Sequence, residues 1–212
     1  MKYIFIGDVH GRVEHVERAL AMDGKKIFVG DFVDSFDRPP IDQRKCIDLV
    51  LAAIKTGEAE AIPGNHELSY LMPNTHMCSG FSGETRRLIL EVKDEINTLF
   101  KPFLYLEDSV LVTHAGLTRD IWDKYNMTKD IMVQQLTEWW PNPDSPMHWI
   151  GQIRGGPRYC GGTFWCDWRE FTPVPDLTQV FGHTTGSNIR QKEQSFCVDC
   201  LGREPNLLTM EL

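Results

Sequence analysis

The chain has 212 residues, ample for one sizeable hydrophobic core and short for two independent ones. Its 42% hydrophobic and 25% charged residues are ordinary for a globular protein, and no apolar run approaches the roughly 20 residues that cross a bilayer. A formal net charge of -8 argues against a protein that tracks duplex nucleic acid by neutralising phosphates; it leaves open a phosphate ester held through bound cations.

Residues 2–6 read as a buried strand and residues 11–22 as a helix with Val13, Val16, Ala19 and Leu20 on one face. Between them, Gly7-Asp8-Val9-His10-Gly11 lets the backbone turn sharply. Asp8 and His10, two apart in an extended stretch, point the same way. Alone, Asp8 can cap a helix and His10 can be a turn histidine; together between glycines they favour a metal. A second strand over 26–29 opens into Asp31-Phe32-Val33-Asp34-Ser35-Phe36-Asp37-Arg38-Pro39-Pro40, and a helix is expected over 41–55 after the proline pair. With a third strand over 58–62 this is βαβ rhythm, which predicts parallel sheet.

That third strand runs into Gly64-Asn65-His66-Glu67. Each of these polar side chains needs a partner, or its burial costs a few kcal/mol. A short helix over 66–72, a loop over 73–83 carrying His76 and Cys78, and a long helix over 84–100 are expected next. Residues 103–106 and 110–113 read as a hairpin around Glu107-Asp108-Ser109, a change to antiparallel pairing. After a helix over 128–140, with Met132, Leu136 and Trp139 inward, comes a proline-, glycine- and tryptophan-rich stretch over 141–170. So many aromatics argue against disorder, and an active-site wall or flap is expected there. Strands near 179–181, 195–198 and 207–210 end the chain, and Asp199 follows the second of these.

The six cysteines, in a chain that enters a strand at once with no room for a secretory leader, are expected to be reduced thiols. Cys197-x-x-Cys200 lacks a second pair and reads as small apolar residues near a strand. The expectation is a cytoplasmic enzyme built as one domain over 1–212, its oligomeric state undetermined.

Five strand-like runs end in metal-capable side chains, which an open α/β sheet gathers at the carboxyl ends of its strands. Asp8, His10, Asp31, Asn65, His114 and His183 offer imidazole, carboxylate and amide donors and no thiolate. That set suits manganese, iron or zinc in a catalytic site. Six ligands exceed one tetrahedral ion, and two divalent ions sharing a carboxylate is the economical solution. Two such ions about 3.5 to 4 Å apart can lower the pKa of a water between them from 15.7 towards roughly 7, as phosphoester hydrolysis requires. His66 is the expected proton donor to the leaving alkoxide, with Asp34 holding its tautomer.

Gly7-Asp8-Val9-His10-Gly11, Gly30-Asp31-Phe32-Val33-Asp34, Gly64-Asn65-His66-Glu67, His114-Ala115-Gly116 and Gly182-His183-Thr184, in this order, resemble the signature of calcineurin-like metallophosphoesterases, especially the phosphoprotein phosphatase branch with its bacterial and phage members. The resemblance spans nearly the whole chain and takes in Val198-Asp199. It implies two packed mixed β-sheets flanked by helices, with Asp8, His10 and Asp31 on a first metal and Asp31, Asn65, His114 and His183 on a second. It further implies phosphate monoester hydrolysis by a metal-bridging hydroxide, with His66 as general acid oriented by Asp34 and Mn2+ foremost among the ions.

In two places the sequence departs from that pattern. Family members acting on phosphoproteins usually have an arginine after the second Asp of the second motif and another before Gly-Asn-His; here those positions hold Ser35 and Pro63. Arg38, Arg12 and Arg154 are the substitutes to consider for gripping phosphate. Hydrolysis of dinucleoside polyphosphates or small phosphodiesters is the alternative, with Trp149, Trp165 or Trp168 stacking a base. A metal-binding scaffold without activity is more remote, since the ligands and His66 are all present. His15, His76 and His148 are expected to stand outside the chemistry.

Overall fold

The computed structural model describes residues 1–72, 77–200 and 207–212, so His76 and part of the expected 73–83 loop lie outside the described residues. β1 (Lys2–Ile6) lies inside a four-stranded sheet, parallel to β2 (Lys25–Phe28) and antiparallel to the C-terminal strand Leu208–Glu211. β3 (Ala59–Ala61) extends β2 in parallel. Side chains alternate across a strand, and β1 shows what that does: Ile4 and Ile6 enter one core cluster while Tyr3 and Phe5 enter another. Both faces are covered, which is why this strand is apolar throughout its buried part.

The crossovers are α1 (Val13–Leu20), which buries Val13, Val16 and Ala19, and α2 (Pro40–Lys55), which buries Cys46, Ile47, Val50 and Ala53. Pro40 opens α2 where its missing N–H costs nothing. α3 (Asn65–Leu71) follows β3 directly. The expected long helix over 84–100 is instead α4 (Gly83–Leu90) and α5 (Lys93–Leu99). Arg44 of α2 explains the break. Its guanidinium donates to the Leu88 carbonyl at 2.8 Å and pairs with Glu91 at 2.9 Å, capping α4 from the side. Val92 then turns inward to be buried.

β4 (Leu104–Leu106) and β5 (Val110–Val112) form the expected hairpin, with Glu107 and Asp108 both left-handed at φ 48° and 50°. The chain does not stay antiparallel. After α6 (Arg119–Lys124), α7 (Lys129–Trp139) and the 141–170 stretch it returns as β6 (Thr178–Phe181), parallel to β5. β7 (Arg190–Lys192) and β8 (Ser195–Cys197) complete a five-stranded sheet ordered β4-β5-β6-β8-β7, with β8 parallel to β6. Leu208–Glu211 is β9, the edge of the first sheet. Two mixed sheets flanked by helices result, as expected.

Phe5, Ile27 and Val29 of the first sheet meet Leu104, Val112 and Val180 of the second in a layer between the sheets. α1, α2, α4 and α5 cover one outer face; α6, α7 and much of the 141–170 stretch cover the other. No helix among the described residues is long and apolar enough to cross a membrane. All six cysteines are buried, and none forms a disulfide.

Candidate metal centre

β1, β2 and β3 run parallel in one sheet and β5, β6 and β8 in the other, so the loops after their carboxyl ends meet at one edge of the sandwich. These loops are backbone-strained. His10, Asp31, Asp34 and His183 all take left-handed φ values, between 45° and 68°. Asp and His tolerate this region better than most residues, and Glu107, Asp108, Asn126, Asp176 and Glu193 adopt it elsewhere, so what sets these four apart is their gathering at one edge. Packing is equally tight: a Cβ on Gly64 would overlap Asp31 Oδ1, and one on Gly182 would overlap Asp8 Oδ1.

Asp31 is central. Its Oδ2 lies 3.3 Å from His114 Nε2 and 3.9 Å from the Nε2 atoms of both His10 and His66. Two groups of potential metal-holding side chains share it, His10 with His66 and His114 with His183. Asn65 Oδ1 lies 2.8 Å from His114 Nε2 and 2.9 Å from His183 Nδ1, and the two ring nitrogens are 3.2 Å apart. Bonds of 2.0–2.2 Å to one ion place neighbouring ligand atoms about 3 Å from each other.

Proton placement makes the case for a cation. His114 Nδ1 is 2.7 Å from the Val29 carbonyl, which can only accept, so Nδ1 carries that hydrogen. Nε2 faces an amide oxygen, a carboxylate and a second ring nitrogen; Asp31 favours a proton there, and a bound cation would take that proton's place. His10 is fixed in the same way, with Nδ1 2.6 Å from the Val33 carbonyl and Nε2 towards Asp31. The donor set therefore fits divalent ions.

Without an ion the charges pair among themselves: burial alone would raise Asp31, but His114, His66 and His10 hold it well below the usual carboxylate range, and Asp31 in turn raises His114 against burial. Asp8 is pushed well above that range by burial, Asp199 and Asp31. His183 is pushed well down by burial, His114 and Arg154. Asp8 stands outside the two groups around Asp31 and accepts the His183 N–H with both oxygens, at 3.0 and 3.1 Å.

Neighbouring residues fix these side chains. Buried Glu67 accepts from the N–H groups of Asp31, Phe32, Val33 and Gly64 at 2.7–3.2 Å, clamping the loop after β2 to the start of α3. Cys78 Sγ takes a hydrogen bond from Asn65 Nδ2 at 3.1 Å, which turns the amide oxygen towards His114 and His183. Asp199 is buried with Oδ2 unpartnered, and burial raises its pKa.

His66 Nδ1 lies 2.8 Å from Asp34 Oδ2, while the Tyr70 hydroxyl donates to Asp34 Oδ1 and the Gln43 amide oxygen accepts the Asp34 N–H at 2.9 Å. Burial would lower His66, but Asp31 and Asp34 raise it to about 9. Asp8, His10, Asp31, Asp34, Asn65, His66 and His183 border one cavity of about 710 Å³.

Residues of the 141–170 stretch, Ile150, Arg154, Pro157 and Trp165 among them, also line it. Arg154 is held in place by Asp167, with Nε 2.9 Å from Oδ2 as an ion pair rather than an aligned hydrogen bond, and by the His183 carbonyl and Thr184 hydroxyl at 3.3 and 3.0 Å. Arg12 lines the cavity and pairs with Asp37 at 3.4 Å. Arg38 is not among the lining residues and pairs with Glu14 at 2.5 Å. Of the tryptophans, Trp165 lines the cavity; Trp149 packs near Tyr125 and Tyr159, and Trp168 stacks on Phe171. His15 and His148 do not line it.

Tyr70, Gln43 and Cys78 were not legible as site residues, and Glu67 stood out only as part of the Gly64-Asn65-His66-Glu67 cluster, without a role. Tyr70 is four residues past His66 on the same helix face, a signal that could have found it; Cys78 carried none.

A family model described as calcineurin-like phosphoesterase matches residues 1–186. A solved cold-active protein tyrosine phosphatase superposes with a TM-score of 0.64 at 17% identity, covering 99% of this chain and 73% of its own. A protein serine/threonine phosphatase from Saccharomyces cerevisiae gives a TM-score of 0.42 at 17% identity, over 96% of this chain and 56% of its own. At such identity the likeness concerns the fold. No curated protein matches the chain.

Proposed function

The chain belongs to the calcineurin-like phosphoesterase family of metal-dependent hydrolases, and from that premise we propose a binuclear phosphomonoesterase of the phosphoprotein (Ser/Thr) phosphatase type. Asp8, His10 and Asp31 would hold one divalent ion, and Asp31, Asn65, His114 and His183 the other, with manganese ahead of iron or zinc. When bound, such a pair supplies positive charge to phosphate oxygens and draws the pKa of a water towards about 7.

The remaining work falls to the chain itself. Arg154, already oriented by Asp167 and Thr184, presents its guanidinium to a phosphate oxygen. His66, with Nδ1 held by Asp34, presents Nε2 to the cavity and gives its proton to the leaving alkoxide oxygen. Tyr70 and Gln43 keep Asp34 in position for that transfer. The catalytic unit is taken as one domain over 1–212 with 141–170 as its wall, and six cysteines outside any disulfide favour the cytoplasm.

The observation that carries this reading is the convergence of His114 Nε2 with Asn65 Oδ1, Asp31 Oδ2 and His183 Nδ1 within 3.3 Å. Titrating manganese into stripped protein while following hydrolysis of a phosphopeptide tests it. Activity should rise with the second equivalent, and Asp31→Asn should weaken both binding steps. Full activity at one equivalent, or none at any metal load, would refute it.

A further inference from the structure

What this centre accepts beyond the phosphate can be read from the mouth of its cavity, granted the phosphomonoesterase reading. Phe36 and Met77 are the exposed large apolar residues that line it, at 84% and 74% exposure. At such exposure these two side chains add little to the fold and are free to meet a ligand that enters the cavity. Phe36 is presented outward by its neighbours: Ser35 Oγ donates to Asp37 Oδ1 at 2.7 Å, and Asp37 in turn holds Arg12. Ile150, Pro157 and Trp165 add apolar wall from a distant part of the chain.

Charge at the same mouth is already paired. Of the lining carboxylates, Asp8 and Asp31 belong to the proposed metal centre and Asp34 to His66, which leaves Asp37 at the lip, and the arginines that line the cavity are Arg12 and Arg154. Each arginine already faces a carboxylate, Asp37 and Asp167 respectively. Once one phosphate group is seated on the metal centre and Arg154, the guanidinium left among these lining residues is Arg12, already paired with Asp37 at 3.4 Å, and Asp37 repels a second phosphate.

We propose that the mouth is a subsite for the apolar, uncharged body of a single-phosphate ester, gripped by Phe36 and Met77, and that it discriminates against polyphosphates. The test is calorimetry on manganese-loaded protein with two non-hydrolysable ligands of equal charge, ethylphosphonate and 3-phenylpropylphosphonate, and with diadenosine tetraphosphate as a third. The phenylpropyl compound should bind about tenfold tighter than the ethyl compound. Phe36→Ser and Met77→Ser, both at exposed positions, should remove most of that difference and change ethylphosphonate affinity less than twofold.

Equal affinity for the two phosphonates, equal loss of both in the variants, or tightest binding of the tetraphosphate would overturn the proposal. Binding is read apart from turnover. If the affinity difference is present and 3-phenylpropyl phosphate is not hydrolysed, the subsite stands and the phosphoesterase reading falls.

Discussion

At the scale of single residues, the site separates groups that would touch metal or substrate from groups that aim them. His66 belongs to the first kind. His66→Asn should keep the metals and lose about 10²–10⁴-fold in rate on an alkyl phosphate, with a smaller loss on an aryl phosphate whose leaving group needs less protonation; equal loss on both esters would remove His66 as the acid. In metal-stripped protein its imidazole should titrate near 9 by NMR, because Asp31 and Asp34 outweigh burial. That shift lies above the ordinary 6.5, so the stabilisation it brings is complete below about 6.5 and is lost as pH rises through about 9. A titration midpoint at or below 6.5 would contradict the contact with Asp34.

Cys78 belongs to the second kind. Cys78→Ala leaves Asn65 Nδ2 without its sulfur partner and should weaken manganese binding about 10- to 100-fold, the range for residues that orient a ligand. Cys78→Ser should recover much of it. Unchanged affinity in the alanine variant would show that the thiol only packs. Sequence alone placed Asp8, His10, Asp31, Asn65, His114 and His183 at strand ends because short polar motifs after apolar runs are local signals. Cys78 and Gln43 reach the site only through tertiary folding, so nothing near them in the chain announces it.

At the scale of elements, the loop after β2 and the start of α3 act as one unit through Glu67. Four buried N–H groups end on its carboxylate, and removing it leaves all of them unpaired. Glu67→Ala should cost at least about 3 kcal/mol in urea unfolding, and loss below about 1 kcal/mol would mean that water replaces the carboxylate. Helix and strand existence was legible from periodicity, as β1 and α2 show. The break between α4 and α5 was not, because it depends on Arg44, about 44 residues earlier in the chain, reaching the Leu88 carbonyl. α6, six residues long, is too short to set up a period, and the parallel return of β6 beside β5 is a choice of topology that a hairpin signal cannot reveal.

At the scale of the whole molecule, two sheets packed on Phe5, Ile27, Val112 and Val180 bring six strand ends to one edge, and each sheet contributes donors to one centre. Asp31 comes from the first sheet; His114 and His183 come from the second. The apolar layer between the sheets therefore sets the distance between candidate ligands more than 80 residues apart, such as Asp31 and His114 at 3.3 Å. Diffraction from crystals grown with manganese, recorded at the metal's anomalous edge, tests this directly. Two strong peaks about 3.5 to 4 Å apart on either side of the Asp31 carboxylate are expected; a single peak, or peaks away from Asp31, would contradict the binuclear centre.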